Sequence, residues 1–121
     1  MPLSDVVLDD VSEAIAAIYG AGYDLTRTKV SSYMADDVLF CVLEDIGTVA
    51  RQTEPVIADR VLDMADRVLD DRRAFQRDHQ TDFCVAVERL VGRRVRTFLS
   101  ANHVGHGVAA EVFFLEAEPI G

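Results

Sequence analysis

Two apolar stretches, Val30 to Leu43 and Val95 to Leu115, are each interrupted by a short polar turn. They bracket a segment from Glu54 to Gly92 whose apolar residues recur at helical spacing. A chain so arranged has few ways to bury its apolar surface. In the first stretch Arg27 to Tyr33 alternates weakly, Ala35-Asp36-Asp37 makes a turn, and Val38-Leu39-Phe40-Cys41-Val42-Leu43 follows as an unbroken apolar run. Such a run suggests a central strand covered on both faces. Gly47 ends it. In the second stretch Val95 to Ala101 reads as a strand, Asn102 to Gly107 as a turn rich in Gly and His, and Val108 to Leu115 as the last strand. The two faces of that strand, Ala110-Val112-Phe114 and Ala109-Glu111-Phe113-Leu115, are both largely apolar. Helices can cover one. The other calls for the N-terminal helix or a partner chain, because exposed apolar patches of that size usually mark an interface.

The helices follow from the same periodicity. Ser4 with Asp5 can cap a first helix in which Val7, Val11, Ala14, Ile15 and Ile18 share a face. Gly20 and Gly22 are expected to end it, since Gly readily takes the left-handed conformation of a C-cap. Thr48 to Gln52 reads as a short helical turn, Thr53 as an N-cap and Pro55 as a residue of the first turn that follows. Ile57, Val61, Ala65, Val68, Arg72, Phe75, His79, Phe83, Val87 and Leu90 then trace one face up to Gly92. A single helix over that span would be roughly 55–60 Å long, whereas strands of six to eight residues reach only about 20–27 Å. The helix must therefore break, with Asp70 to Arg73 the expected place, or overhang the sheet. The expected fold is α+β in two layers: an N-terminal helix, a hairpin, a long or broken helix and a second hairpin, with the hairpins joined in one four-stranded antiparallel sheet. At 121 residues this is one domain.

Charge narrows the partners. The net charge of −9 disfavours nonspecific attraction to nucleic acid or to anionic lipid. It is unevenly spread: residues 1–71 hold 15 acids and 5 bases, residues 72–121 hold 6 acids and 7 bases. The N-terminus lacks the basic region and apolar core of a signal peptide, and no apolar run approaches the ~20 residues of a membrane helix. Cys41 and Cys84 are isolated and flanked by apolar residues, as expected of reduced thiols in a cytoplasmic protein.

Most groups with chemical potential have an ordinary structural reading. The glycines of Tyr19-Gly20-Ala21-Gly22 follow a helix and precede a strand, the reverse of the order a dinucleotide site needs. His103 and His106 could share a metal, but a zinc site wants three or four protein ligands and neither cysteine is near in sequence. Asp36-Asp37 and Asp70-Asp71 read as solvated pairs. Ser31, Ser32 and Ser100 have no context of a hydrolase triad. The arginines Arg72, Arg73, Arg77, Arg93, Arg94 and Arg96 are more informative. Arg72 falls on the apolar helical face, where an unpaired guanidinium is costly. Glu111, alone in the apolar last strand, is its natural partner, either in a structural ion pair or in an anion or ligand site that also uses Arg73.

Several blocks recur in an order that resembles a known family. They are Tyr19-Gly20-Ala21-Gly22, Thr28-Lys29-Val30-Ser31-Ser32-Tyr33, Asp36 to Asp45, Asp71-Arg72-Arg73-Ala74-Phe75-Gln76, Val87 to Val95, Phe98-Leu99-Ser100 and Glu111 to Glu116. Together they span about Val11 to Glu116 and resemble the MpsC-like family, a domain of unknown function. That family is named for a component of a bacterial system that generates membrane potential. The chain departs from the family pattern at Tyr23, where a proline is usual, in the blurred Gly47 to Arg51 segment, and at Gly105-His106-Gly107. What the resemblance implies is a soluble accessory protein, not a transporter, of a system whose other components are membrane or membrane-bound proteins linked to cation and inorganic-carbon transport. Together with the readings of charge, cysteines and apolar faces, the expectation is a noncatalytic accessory or regulatory module, cytoplasmic and self-associating as a homodimer, without cofactor, metal, nucleic-acid partner or membrane insertion. Its rival is a small-ligand or anion site, with or without catalysis, at Arg72, Arg73 and Glu111.

Overall fold

A computed structural model describes residues 3–47 and 58–121. The turn expected at Thr48 to Gln52, the Thr53 cap and the start at Pro55 lie outside them. Helix α1 (Asp5–Tyr19) begins as its sequence dictates, with the Ser4 hydroxyl accepting the Val7 N–H at 3.3 Å. Strands β1 (Lys29–Ala35) and β2 (Val38–Glu44) form the first hairpin. Its two-residue turn uses Asp36 at φ 53, a left-handed conformation that Asp tolerates better than most residues. Helices α2 (Ala58–Asp78) and α3 (Gln80–Val91) follow, and β3 (Arg93–His103) and β4 (Val108–Pro119) make the second hairpin around a 3₁₀ turn at Val104–His106. The sheet is antiparallel throughout in the order β1-β2-β4-β3, so the apolar strands β2 and β4 lie at its centre. This is the expected α+β architecture.

Two local expectations fail for physical reasons. Gly20 caps α1 in a right-handed conformation, φ −61, and not the left-handed one. Gly22 owes its place to packing: a β-carbon there would sit 3.0 Å from the Phe75 ring. The long helix breaks at His79, well beyond Asp70 to Arg73. Asp70 to Arg73 contains no Gly or Pro, and Arg72 and Gln76, one turn apart, are both turned into the interior. At His79 (φ −102, ψ 8) the imidazole lies 4.3 Å from the Phe75 ring centroid and meets the Asp82 carboxylate at 3.0 Å. Backbone bonds continue through the break, from His79 N–H to Phe75 and from Phe83 N–H to His79, so it is a kink.

The core lies between the helices and one face of the sheet. Val11, Ile15 and Tyr19 of α1 and Phe83 and Val87 of α3 are buried against Leu39, Cys41 and Leu43 of β2 and Ala109, Phe113 and Leu115 of β4. Pairing register aligns these into rows across the strands. Met34, Leu39, Phe113 and Phe98 form one row; Ser32, Cys41, Glu111 and Ser100 form the next. Aromatic rings continue from the sheet into the helices, with Phe98 5.0 Å from Phe113 and 5.9 Å from Phe83. The residues of opposite parity, Val38, Phe40, Val42, Ala110, Val112 and Phe114, face away from all three described helices. The N-terminal helix does not cover this second face, because α1 packs beside α3 on the first. Phe113 joins the aromatic rows and is fully buried, so Phe113→Ala should lower stability by about 3–5 kcal/mol. Urea unfolding with an unchanged m-value measures it, and a loss below about 1 kcal/mol would contradict this packing.

Candidate functional site

Alternation along β4 puts Glu111 on the same face as Ala109 and Phe113, inside the core, with no exposed surface. A carboxylate placed there must collect donors from whatever packs on it. Three arrive from three elements. Tyr19, at the last turn of α1, donates its hydroxyl to Oε1. Gln76 of α2 donates Nε2 to the same oxygen at 2.9 Å, and Ser100, opposite Glu111 on β3, donates its hydroxyl to Oε2.

The network then runs outward. With Nε2 committed to the carboxylate, Gln76 turns its Oε1 to Asn102, which donates Nδ2 at 2.9 Å, and Gln76 Nε2 also reaches Asn102 Oδ1 at 3.0 Å. The two amides form a reciprocal pair whose orientation is set by the buried charge. A carboxylate offers only acceptors, so the opposite rotation of Gln76 would set oxygen against oxygen. Tyr19 also accepts from Gln76 Nε2 at 3.0 Å. Burial, and next the negative charge of Glu111, push the Tyr19 hydroxyl far above its ordinary range, so it remains a donor. Burial likewise raises the Glu111 carboxyl, against the pull of its donors and of Arg72.

Arg72 is as buried as Glu111, at 1% exposure, but the two do not form the expected ion pair. Its guanidinium lies over the Tyr23 ring, 4.7 Å from the centroid, and acts on Glu111 only through space. Among the described residues Nε and Nη1 find no acceptor. The geometric cause is that Glu111 is already enclosed by Tyr19, Gln76 and Ser100. Arg73 points elsewhere. It lines an open groove of about 350 Å³ between α2 and β3, together with Leu69, Gln76, Arg77, Gln80, Phe98, Ser100 and Asn102. The three residues singled out from the sequence thus occupy three places: Arg72 inside on Tyr23, Glu111 beneath the groove, and Arg73 in its wall. The sequence does not mark Tyr19, Gln76 and Ser100 as partners of Glu111, nor Asn102 as the partner of Gln76. Gln76 carried a usable signal, standing four residues after Arg72 on the apolar helical face.

Other candidates resolve into structure. Asp37 is not simply solvated, since its carboxylate pairs with Arg93. His103 and His106 stack at 4.5 Å, and no group of three His, Cys, Asp or Glu able to hold a metal occurs among the described residues. Ser32 bonds Ser12 at 2.6 Å and Cys41 Sγ at 3.3 Å. Both cysteines are free thiols; burial pushes Cys41 up to about 11 and raises Cys84 as well, which removes thiolate character from both.

The raised carboxyl has a definite sign in stability. Folded Glu111 holds its proton more tightly than the unfolded residue, whose ordinary value is about 4.3. Its contribution is therefore lost as pH rises from that value through the folded one. Relative to Glu111→Gln, the native chain should lose stability as pH rises across this window and run parallel above it. Urea midpoints of both proteins over the weakly acidic range test this, and a native chain that gains on Glu111→Gln with rising pH would refute it. Compared with described protein families, with curated proteins and with solved structures, the chain matches none.

Proposed function

We propose that this chain is a noncatalytic accessory or regulatory module that works as a homodimer joined through the bare face of its sheet. One observation carries the reading: the side of the four strands opposite the helices is lined by Val38, Phe40, Val42, Ala110, Val112 and Phe114 and has no described helix over it. At its margins Tyr33 is 47% and Leu99 54% exposed, so the patch is open to solvent at both edges. Four strands at about 4.8 Å spacing and seven residues at about 3.3 Å give roughly 440 Å² in projection, before side-chain relief. That suits the apolar centre of an interface burying about 800 Å² per partner. A sheet face is also self-complementary about a two-fold axis, so a second copy satisfies it without a dedicated partner surface.

The noncatalytic part of the reading is supported by the state of the buried groups. Glu111 is held by three donors, the Tyr19 hydroxyl is kept protonated, and burial raises both thiols. Glu111, Tyr19 and Cys41 have no exposed surface, so none of them is a base or nucleophile open to solvent. The resemblance to the MpsC-like family supports a cytoplasmic setting beside membrane-bound proteins of ion or inorganic-carbon transport. No helix among the described residues is long and apolar enough to cross a membrane, which is consistent with action through such partners.

Light scattering on a size-exclusion column should give twice the chain mass of 13.4 kDa. Val112→Glu places a charge at the centre of the bare face and should give a monomer with an unchanged far-UV circular dichroism spectrum. A native chain that stays monomeric throughout a concentration series would overturn the proposal, as would a Val112→Glu protein that stays folded and dimeric.

A further inference from the structure

The groove between α2 and β3 carries a separate inference, independent of the dimer. Its lining includes two arginines, Arg73 and Arg77, and no acid, in a chain with 21 acids and 12 bases. The two stand four residues apart, hence on one face of α2. Like charges at that spacing weaken a helix, and among the described residues neither has an acid within ion-pair distance. Between them and β3 lies a floor that is already ordered. Gln76, 3% exposed, is oriented by Glu111 and holds Asn102 in the reciprocal amide pair, while Ser100 is fixed on the other carboxylate oxygen. Asn102 uses only one of its two Nδ2 hydrogens in that pair, and among the described residues no hydrogen bond commits the amide of Gln80.

We infer that this groove binds a small phosphate-bearing molecule, its phosphate between Arg73 and Arg77 and its polar body on the amides of Asn102 and Gln80. Two guanidinium groups with no acid beside them among the described residues suit a doubly charged anion, which a phosphate monoester supplies and a single carboxylate does not. At about 350 Å³ the groove sits at the small end of ligand sites, so the molecule is compact and not a dinucleotide. Leu69 and Phe98 offer the apolar wall for its carbon skeleton. The buried carboxylate is not itself a contact. It acts as a positioning group, setting the amide orientation that the ligand meets.

Titration of the native chain with inorganic phosphate at constant ionic strength, followed by two-dimensional amide and side-chain NMR, tests this. Saturable shifts should appear at Gln76, Gln80, Ser100 and Asn102. Arg73→Gln with Arg77→Gln should weaken the binding at least tenfold, whereas Arg89→Gln with Arg94→Gln, which removes the same charge elsewhere, should leave it within twofold. Acetate should bind at least threefold more weakly than phosphate. Shifts that do not saturate, or equal losses in the two double variants, would show only the general field of the chain and overturn the site. Acetate binding as tightly as phosphate would overturn the ligand class. Because Arg73 and Arg77 are on the surface of α2, a variant that loses the fold is recognised by its own spectrum. In that event Asn102→Asp, which sets a charge against phosphate, should abolish the shifts, and their persistence would overturn the site.

Discussion

A carboxylate with no exposed surface is the constraint around which the rest of this molecule is arranged. An isolated charge in such a place would cost several kcal/mol, and the fold answers by bringing one donor each from α1, α2 and β3 onto Glu111. Those three contacts fix how the helices sit on the sheet more narrowly than apolar packing alone can. Leu or Ile side chains tolerate small slides against their neighbours, while a hydrogen bond to a charged oxygen does not. The aromatic cluster of Tyr19, Tyr23, Phe75 and Phe83 then fills the space beside that polar centre.

Arg72 shows the other side of the same constraint. With Glu111 fully engaged, the guanidinium is left to stack on Tyr23, a contact worth about 2 kcal/mol when desolvated. The attraction between the two buried charges acts at a distance and does not organise either side chain. The sheet separates two unlike surfaces. Its helix side leads through Gln76 and Asn102 to a groove lined by arginines, and its other side is apolar along the two central strands, with Ser31 and Thr97 on the flanking strands and Arg96 over the Phe114 ring.

Much of this was legible in the chain. The apolar run Val38 to Leu43 announced a central strand, and the alternation around Glu111 marked it as a lone acid in an interior strand. Its partners were not legible, because they come from residues 11 to 92 positions away and Tyr19 reads as one more apolar member of its helix. Glu111, alone in an apolar strand, therefore reads as the complement of Arg72 on its apolar helical face. The mismatch between helix and strand lengths calls for a break without locating it, and at Asp70 to Arg73 the buried Arg72 and the following Gln76 hold the helix intact. At the kink His79 stacks on Phe75, four residues before it, and meets Asp82, three residues on; such spacings are common along any helix and do not by themselves mark a break.

The row Ser32, Cys41, Glu111 and Ser100 crosses all four strands, between the apolar row Met34, Leu39, Phe113 and Phe98 and the row Val30, Leu43, Ala109 and Asn102. Alternation by itself cannot tell the correct pairing from one shifted by two residues, since both keep the same side chains inside. A shift of two would set Glu111 against Phe98 or Asn102 on β3, and against Leu39 or Leu43 on β2. Ser100 would no longer stand opposite it, and Gln76 and Tyr19 would meet the carboxylate out of line. The buried charge thus proofreads the strand alignment, penalising the one class of error to which a uniformly apolar sheet is blind.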